Sequence, residues 1–500
     1  MRKMYFFEDH EEFKNRIFCI DEEGRKFTYG QIREMGDTIV SPVPRRSLVL
    51  QLVGNDVASV SCYLALLRRR CPVILMGKNT DQALVDRMIE VYRPRFIASR
   101  GGVERREYSE TGMGNDRTGR EHDRECGREH ERIDPELALL LSTSGSTGAQ
   151  KLVRLSYDNL QANCDSIVSY LGLTAEERPI TTLPMEYTYG LSVIHSHAAV
   201  GASIILTDRT LFEPKFWELA ENLGATSMAG VPYTYEMFQR LRLQRMNLPK
   251  LRTLTQAGGH LKTELQESYA KWAKESGRRF FVMYGQTEAT ARMSYIPWEK
   301  CGEKIGSIGI PVPGGRIGLL DENGGMIEKP GVSGELIYYG KNVSLGYAVC
   351  RADLGKGDEN NGRLETGDIA YRDEDGYYFI TGRKKRFVKL YGKRISMDQI
   401  QDDLQESFHT PDIVCTGDDT RGITVWLTPR AIASAAGTDG QVKTPADGEA
   451  GEDISKAEEK LRQTFFERWG IRDSLVHIQR IDAIPRNSSG KTIYAQLKAE

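Results

Sequence analysis

Hydroxyl, glycine and lysine side chains are concentrated in one short stretch, Leu141 to Lys151 (LSTSGSTGAQK), which follows an apolar run typical of a buried strand. Small residues let a phosphate approach the backbone, hydroxyls and N–H groups donate to its oxygens, and the lysine adds positive charge. A Walker motif requires Gly-Lys-Ser/Thr in direct succession, whereas Lys151 lies three residues after Gly148. The stretch therefore predicts a different type of phosphate loop, although such stretches are by themselves more often solvated turns.

Four further stretches could supply the rest of a nucleotide site. Tyr284 to Glu288 (YGQTE) follows an apolar strand and combines an aromatic ring for a base, a hydroxyl for a phosphate and a carboxylate for Mg²⁺. Thr366 to Asp368 offers a carboxylate after a turn, which suits a ribose diol. Cations at Arg383 and at Lys389 to Arg394 lie near a predicted hinge, and Lys491 ends a turn-rich loop. Each stretch alone is usually a turn or a solvated face, so the specific signal is their joint occurrence.

The elements that position these residues alternate between strands and helices. Ser47 to Val53 and Pro72 to Met76 are apolar and predict buried strands, and Val57 to Arg68 predicts the helix between them. This alternation is typical of a parallel sheet with helical covers, so the predicted fold class is α/β. We also predict helices and strands in chain order at Tyr157–Leu171, Ile180–Pro184, Ala202–Thr207, Ala225–Ala229, Leu251–Ala257, Phe280–Tyr284, Arg316–Leu320, Gly334–Tyr339, Ile454–Trp469 and Leu475–Ile481.

The predicted domain organisation is an N-terminal domain over 1–383 and a C-terminal domain over 384–500. Residues 101–132 are rich in Glu, Arg, Asp, Gly and His and almost lack apolar side chains, which predicts a disordered surface insertion. Residues 431–453 are rich in Ala, Gly, Asp and Thr and predict a flexible loop.

Composition excludes several classes of protein. The 500 residues carry a formal net charge of −2, so no overall basic field indicates nucleic acid or an anionic membrane. No apolar run approaches the roughly 20 residues of a membrane span, and Met1 to Phe13 lacks the apolar core of a signal peptide. The 8 cysteines are scattered without a Cys-x-x-Cys pair, which favours reduced thiols. We therefore expect a soluble, cytoplasmic protein.

Together the motifs resemble the adenylate-forming superfamily of acyl- and aryl-CoA ligases, peptide-synthetase adenylation domains and firefly-type luciferases. The resemblance extends from Phe27-Thr28-Tyr29 to Lys491. It implies a large N-terminal domain of parallel α/β subdomains plus a small β unit, followed by a small, mobile C-terminal α+β lid. It further implies that a carboxylate attacks the α-phosphate of ATP to give an acyl-adenylate and pyrophosphate, after which a thiol displaces AMP.

The resemblance also implies a role for each motif residue. The triphosphate would be held by Thr143, Ser144, Gly145, Ser146, Thr147, Gly148 and Lys151. The adenine site would comprise Gly258, Gly259, Tyr284, Gly285 and Gln286. Asp368 and Arg383 would bind the ribose hydroxyls.

The same resemblance assigns the residues of the chemical steps. Thr287 would contact the α-phosphate and Glu288 would ligate Mg²⁺. Lys491 would neutralise charge as the carboxylate and the α-phosphate meet. Lys385 falls at the family's hinge position, and Lys389 would face the site only in the thiol step.

The acid pocket departs from familiar relatives. We place it around Tyr187, Gly230, Val231 and Gln256. The side chains of this region are mostly small or aromatic and few are charged, which favours an apolar acyl or aryl acid. Three positions differ from many relatives: Val282 replaces a polar reader of adenine, Glu186-Tyr187 replaces an aromatic-histidine gate, and Gly190 replaces an aspartate that binds an α-ammonium group. A free amino acid is thus disfavoured, although Glu186 could hold an amine. We expect His195 and His197 to be structural.

The leading hypothesis is an AMP-forming ligase that uses ATP and Mg²⁺ and transfers a small-molecule carboxylic acid to coenzyme A. A close alternative transfers the acyl group to the phosphopantetheine of a separate carrier protein. Luciferase-like oxidation of the adenylate uses nearly the same residues, so the motifs leave it open. A nucleic-acid partner is not expected.

Overall fold

The computed structural model describes residues 4–108, 132–142, 151–390, 393–418, 421–436, 449–486 and 492–497. Contacts divide the described chain into two compact units. The first is drawn from Met1–Thr143, Ala149–Ile317 and Ile337–Leu364, and the second from Gly318–Leu336 and Glu365–Glu500. The predicted division at residues 383 and 384 stays a prediction.

The described helices are α1 Tyr29–Ile39, α2 Val57–Arg68, α3 Gln82–Tyr92, α4 Tyr157–Leu171, α5 Thr188–Ala198, α6 Pro214–Asn222, α7 Pro232–Arg240, α8 Thr263–Glu275, α9 Met397–Ser407, α10 Pro429–Ala436 and α11 Glu449–Trp469. The described strands are β1 Ile17–Ile20, β2 Lys26–Thr28, β3 Val49–Val53, β4 Val73–Gly77, β5 Phe96–Ser99, β6 Gly102–Arg105, β7 Leu137–Ser142, β8 Leu152–Ser156, β9 Ile204–Ile205, β10 Ser227–Gly230, β11 Thr253–Gln256, β12 Arg279–Tyr284, β13 Ser294–Tyr295, β14 Ile310–Pro311, β15 Gly315–Leu320, β16 Gly334–Gly340, β17 Gly346–Ala348, β18 Arg363–Arg372, β19 Tyr378–Arg383, β20 Phe387–Leu390, β21 Lys393–Ser396, β22 Ile413–Asp418, β23 Gly422–Leu427 and β24 Val476–Arg480.

Two larger sheets form the frame of the first unit. One has the order β17-β8-β7-β4-β3-β5-β6, in which β7, β4, β3 and β5 run parallel and the outer strands pair antiparallel. The other has the order β10-β11-β12-β13-β14, with β10, β11 and β12 parallel. The parallel strands are nearly continuous apolar runs because helices cover both faces of such sheets. The predicted βαβ arrangement of β3, α2 and β4 is confirmed.

The predicted first and last residues of α2 and α4 agree with the structure, and capping interactions at the helix ends explain why. The side chain of Asp56 accepts the N–H of Ser59 at the start of α2. Ser156 and Asn159 form a reciprocal capping box at the start of α4, and Gly172 ends that helix in the left-handed conformation, with φ 61°.

Three predicted segments differ from the structure. The disordered insertion predicted over 101–132 is wrong for its first residues, because β6 (Gly102–Arg105) pairs with β5. Residues 109–131 lie outside the described part of the chain. Ile180–Pro184 is not a strand: the Thr181 hydroxyl donates to the Thr207 carbonyl at 2.8 Å, and Ile180 makes a single bridge to Ile205. The flexible loop predicted over 431–453 is wrong at both ends, which are helical parts of α10 and α11; alanine favours helix in α10. Residues 437–448 of that loop lie outside the described part of the chain.

The second unit has its own core. The sheet β22-β23-β24 packs with α9, α10 and α11 through buried side chains such as Leu404, Val425 and Leu461. Strands β15, β16, β18 and β19 form a further sheet in that order. Within the described residues, no helix has both the length and the apolar character needed to cross a bilayer.

Candidate functional site

Three parallel strands of the first unit end side by side. Gly230 of β10 pairs with Gln256 of β11, and Gln256 pairs with Val282 of β12. Gly258 and Tyr284 each follow these paired residues by two positions, so they leave the same edge of the sheet. In open α/β sheets, ligands bind at the carboxyl ends of the strands. The structure therefore brings together predicted adenine and acid-pocket residues at this edge of the sheet.

Gly258 leaves room beside Tyr187. Its φ is +88°, and a Cβ at this position would lie 2.6 Å from the Tyr187 hydroxyl oxygen, so a side chain is excluded. The Gln256 side-chain N–H donates to the Gly259 carbonyl at 2.9 Å, and the buried Gln256 Oε1 has no hydrogen-bond partner among the described residues. Burial raises the pKa of Tyr187 to about 12, so its hydroxyl stays protonated at neutral pH.

The loop after β12 is tightly folded. A Cβ on Gly285 would lie 1.7 Å from the Ala291 carbonyl oxygen, which only glycine tolerates. The Gln286 side-chain N–H donates to the Tyr284 hydroxyl at 3.2 Å, and Thr287–Ala289 form a 3₁₀ turn. This turn fixes the position from which Glu288 projects.

Tyr347 joins two charged residues that the sequence assigns to the nucleotide. Its hydroxyl donates to Glu288 Oε1 at 2.7 Å, and Lys151 Nζ lies 3.4 Å from the centroid of its ring. Burial, and then the Glu288 charge, raise the pKa of Tyr347, so the hydroxyl remains a donor. The contact between ammonium and ring is a cation–π interaction. Sequence reasoning missed Tyr347 because it is 59 positions from Glu288 and has no neighbouring motif.

Arg154 holds the strand that carries Tyr347. Its side chain has 0% exposure, and its Nε and Nη2 donate to the carbonyls of Tyr347 and Leu345 at 3.1 and 2.9 Å. Nη1 donates to the carbonyls of Lys356 and Gly357, and Nη2 also lies 2.5 Å from Glu359 Oε2. These bonds position β17 against β8 and thereby position Tyr347 near Glu288.

Glu288 fits the chemistry of a magnesium ligand that is shared with a nucleotide. The hydrogen bond from Tyr347 uses Oε1, which leaves Oε2 available for a cation. Mg²⁺ commonly takes one or two carboxylates and fills its other positions with water and phosphate oxygens. The described residues contain no group of three or more His, Cys, Asp or Glu side chains that could hold a metal ion, so they do not form an all-protein cage.

The predicted ribose residues lie in the second unit. Asp368 of β18 pairs with Arg383 of β19, and Arg383 Nε donates to Asp368 Oδ1 at 3.1 Å. Asp368 is only 2% exposed, while the side chain of Arg383 is 62% exposed. The structure thus brings these two residues together as an ion pair.

Several predicted site residues cannot be placed. Thr143, Ser144, Gly145, Ser146, Thr147, Gly148 and Lys491 lie outside the described residues. Lys385 falls in the turn Lys384–Arg386 and Lys389 in β20, but their side chains are not described. Their assigned roles stay predictions.

A small cavity of about 30 Å³ lies between α5 and the sheet of β10, β11 and β12. Its lining includes Gly190, Val193, Met228, Ala229 and Thr255, which adjoin the predicted acid pocket. The predicted positions Tyr187, Gly230, Val231 and Gln256 are neighbours of these residues and do not line the cavity themselves. One lining residue carries a positive charge, Arg292, and the sequence had not singled it out.

The two histidines of α5 are core residues, as predicted. His195 Nε2 lies 2.9 Å from the Tyr63 hydroxyl, and burial lowers the pKa of His195 to about 3. His197 Nδ1 donates to the Val193 carbonyl at 2.8 Å, and burial lowers the pKa of His197 to about 4. Both are therefore neutral at pH 7. Glu186 also has a raised pKa because it is buried.

A family model described as "AMP-binding enzyme" matches residues 6–348. The chain belongs to this family. The match covers the strand edge, the Tyr284–Glu288 loop and Tyr347, so it supports the resemblance on which the residue roles depend.

Two curated relatives of this AMP-binding enzyme are CoA ligases by name. The long-chain-fatty-acid–CoA ligase of Bacillus subtilis (strain 168) is 29% identical over 313 residues, which are 59% of this chain and 53% of that protein. Feruloyl-CoA synthase of Amycolatopsis sp is 29% identical over 272 residues, which are 54% of each chain. This AMP-binding enzyme thus spans about half the length of the curated relatives it matches.

Solved structures extend the similarity in fold to almost the whole chain. O-succinylbenzoate coenzyme A synthetase (MenE) from Bacillus subtilis, in complex with AMP, superposes with a TM-score of 0.72 at 19% identity. The superposition covers 97% of this chain and 96% of that one. The same synthetase has also been solved with ATP and a magnesium ion. At this identity the likeness establishes the fold, which confirms the predicted α/β class, while rotation of the C-terminal unit stays a prediction.

Proposed function

We propose that this AMP-binding enzyme is an ATP-dependent, AMP-forming ligase that adenylates a carboxylic acid and transfers the acyl group to coenzyme A. The observation that carries the proposal is the contact of Lys151, Tyr347 and Glu288 beside the edge that presents Gly258 and Tyr284. A cation and a carboxylate beside a surface suited to a base support a reaction that uses a nucleotide. The names of the CoA-ligase relatives support the same reaction.

In the first half-reaction, an oxygen of the acid would attack the α-phosphorus of ATP, and the bond from that phosphorus to pyrophosphate would break. Lys151 would offset the charge of the triphosphate, and Glu288 would hold Mg²⁺, which supplies positive charge to the phosphate oxygens. Thr287 would donate a hydrogen bond to the α-phosphate. Lys491 would neutralise charge as the carboxylate of the acid approaches the α-phosphate. Asp368 and Arg383 would orient the ribose.

In the second half-reaction, the sulfur of coenzyme A would attack the acyl carbon, and AMP would leave with the electrons of the broken C–O bond. We propose that a C-terminal domain over 384–500 turns about Lys385 to bring Lys389 to the site for this step. We also propose that the acid is an apolar acyl or aryl acid, because Val193, Met228 and Ala229 line the cavity beside the strand edge.

The test is pyrophosphate release with ATP and Mg²⁺ over a panel of acids, with and without coenzyme A. We expect acid-dependent release that coenzyme A accelerates, with AMP and an acyl thioester formed in equal amounts. Glu288→Gln and Lys491→Ala should each lower kcat by about 10²- to 10³-fold, since each removes a charge from the transition state. Lys271→Ala, at an exposed position of α8, is the matched control.

Two outcomes would contradict the proposal. Full turnover of Lys491→Ala would remove that lysine from the reaction. Acid-dependent pyrophosphate release that coenzyme A does not accelerate would indicate a carrier-protein thiol as the acceptor.

A further inference from the structure

Tyr347 lies between two residues of opposite charge that do not pair with each other. Its hydroxyl donates to Glu288 Oε1 at 2.7 Å, and Lys151 Nζ lies 3.4 Å from the centroid of its ring. No oxygen of the Glu288 carboxylate lies within 4.0 Å of that Nζ. All three side chains are half-buried. Opposite charges that contact the same side chain attract each other strongly in such surroundings, so what keeps them from pairing is a question about function.

The pairing of β17 with β8 explains why Lys151 meets the ring. Tyr347 is opposite Val153 in this antiparallel ladder, and Lys151 is two residues before Val153. Side chains two residues apart on an extended chain leave the same face of a sheet, and diagonal neighbours on that face are within reach of long and aromatic side chains. The bonds of Arg154 to β17 hold the two strands in this register. The contact between ammonium and ring is therefore built into the sheet.

The turn that carries Glu288 is bonded to the segment that leads into β17. The backbone N–H of Ser344 donates to the Glu288 carbonyl at 2.8 Å, and the side-chain N–H of Asn342 donates to the Ala289 carbonyl at 2.8 Å. Both ends of the hydrogen bond between Tyr347 and Glu288 are thus held by the backbone around them. This bond is a fixed feature of the first unit and not a chance meeting of two mobile side chains.

A direct pair between Lys151 and Glu288 would compete with both of their expected ligands. Breaking a half-buried pair leaves each charge without its counter-ion, and a phosphate or a cation would have to offset that loss before it bound. The ring face instead attracts an ammonium although it has no net charge. The hydroxyl donates to a single oxygen of the carboxylate and leaves Oε2 for a cation. Tyr347 therefore orients both charged groups without consuming either charge.

We propose that Tyr347 is a positioning residue that keeps Lys151 and Glu288 from pairing, so that the ammonium remains available to the triphosphate and the carboxylate to Mg²⁺. The inference rests on the proposed function, because it concerns the complex of ATP and Mg²⁺ in that reaction. In this role Tyr347 acts through its two neighbours and not on the reacting atoms. Its ring and its hydroxyl have separate tasks, which substitutions can separate.

The first test removes the hydroxyl alone. In Tyr347→Phe, ATP binding is measured by calorimetry, without acid, over a range of Mg²⁺ concentrations. We expect the Mg²⁺ concentration for half-maximal ATP binding to rise by about 10- to 100-fold, the range typical of a lost hydrogen-bond partner of a metal ligand. ATP binding without Mg²⁺ should keep its wild-type affinity, because the ring still holds Lys151. A general structural defect would weaken both.

The second test removes the ring as well. In Tyr347→Leu, Lys151 can pair with Glu288, so we expect ATP binding to weaken even without Mg²⁺. Adding Glu288→Gln removes the partner of that new pair. The double variant should then bind ATP without Mg²⁺ as tightly as Glu288→Gln alone, so that the effect of the leucine disappears in this background. Such a rescue is not expected if Tyr347 serves only to fill space.

A matched control removes another tyrosine hydroxyl of the first unit. Tyr29 donates to the Ala202 carbonyl at 2.8 Å. Tyr29→Phe should leave the Mg²⁺ requirement and the affinity for ATP unchanged. Each variant is compared only if it retains the wild-type circular dichroism spectrum, and Tyr347→Phe, which loses one oxygen atom, keeps the inference testable if the leucine variant does not fold.

Two results would overturn the inference while leaving the ligase reaction intact. One is a Tyr347→Phe enzyme with the wild-type Mg²⁺ requirement. The other is a Tyr347→Leu substitution that weakens ATP binding by the same factor with and without Glu288→Gln. Failure of the proposed function would instead appear as a wild-type enzyme that binds ATP with Mg²⁺ but forms no acid-dependent AMP from any acid. A wild-type enzyme that binds no ATP would overturn both.

Discussion

Arg154 and Arg292 are both fully buried in the first unit, yet their surroundings differ. The Arg154 guanidinium bonds the carbonyls of Leu345, Tyr347, Lys356 and Gly357 and pairs with Glu359. The Arg292 guanidinium meets two hydroxyls, a sulfur and an aromatic ring, and one of its nitrogens has no partner in the described chain.

The difference separates two uses of a buried cation. A guanidinium whose donors are taken up by backbone carbonyls acts as a brace, because removing it leaves those carbonyls without donors. A guanidinium that keeps a buried donor unused is costly for stability, because the desolvation of that N–H group is not offset by a hydrogen bond. The first arginine holds the strand that carries Tyr347, whereas the second has a buried nitrogen without a partner among the described residues.

The largest expected effect is on stability. Arg154→Met should lower the free energy of unfolding of the first unit by about 3–5 kcal/mol, since several buried carbonyls lose their donors together. Arg292→Met should change it by about 1 kcal/mol or less in either direction, because an uncompensated charge is replaced by an apolar side chain. Urea unfolding followed by tryptophan fluorescence measures both.

The contrast between the two arginines would be wrong if Arg154→Met and Arg292→Met lowered the free energy of unfolding equally. In that case Arg292 would stabilise the fold to the same extent as Arg154. Arg154→Met should also raise the Mg²⁺ concentration needed for turnover, because it releases the strand that positions Tyr347 against Glu288.

The next effect concerns pH. The pKa of His197 is lowered to about 4, mainly by burial and also by the Arg292 charge, while the bond to the Val193 carbonyl and the Glu177 charge act in the opposite direction. The unfolded chain binds a proton at this histidine below its ordinary pKa of 6.5 and the folded chain does not, so stability is lost as pH falls from 6.5 towards 4. His197→Asn should remove about 1.4 kcal/mol per pH unit from that slope, as measured by urea unfolding between pH 4.5 and 6.5.

The same titration bears on the two arginines. Arg292→Met should make the loss of stability end at a higher pH, because removal of the positive charge raises the pKa of His197 in the folded chain, while the onset near pH 6.5 is set by the unfolded chain. A change at Arg154 should leave this part of the profile as it is. An unchanged slope in His197→Asn would show that other groups carry the acid sensitivity; His477→Asn, at an exposed position, is the control for loss of an imidazole.

The smallest expected effect on stability comes from removing the carboxylate that pairs with Arg154, which leaves Arg154, like Arg292, without a counter-ion. Glu359→Gln removes the carboxylate but leaves the four carbonyl acceptors, and Glu359 is 49% exposed. Solvent screening therefore limits the loss of stability to about 1 kcal/mol or less. Glu303→Gln, which breaks an exposed pair with Lys300, is the matched control. A loss above about 3 kcal/mol would mean that the carboxylate, rather than the carbonyls, secures Arg154.

Local signals explain what could be predicted from the sequence. The bounds of α2 and α4 follow from Asp56, Ser156 and Gly172, whose effects act within a few residues of the helix ends. The Tyr284–Glu288 stretch was recognised because its chemistry is contiguous along the chain. In these parts of the chain, interactions between residues close in sequence are sufficient to predict the observed structure.

Long-range contacts explain what could not be predicted. Tyr347 matters because Glu288 and Lys151 meet on it, and neither lies near it in sequence. Arg292 appears in the sequence as one arginine among small residues, and only its burial beside a cavity gives it significance. The strand predicted at Ile180–Pro184 is wrong for a related reason, since its backbone pairing with distant residues ends at Thr181, whose hydroxyl then donates to the Thr207 carbonyl.

The pairing of β17 with β8 has a consequence for biosynthesis. Arg154 and the Tyr347 carbonyl to which it donates are 193 positions apart. A ribosome that adds about 5–20 residues per second needs roughly 10–40 s to make that intervening chain. Throughout this interval the nascent polypeptide carries Arg154 without its carbonyl partners, and β8 presents an open sheet edge to solvent and to chaperones. The bond that finally places Tyr347 beside Glu288 is also the one that closes this edge.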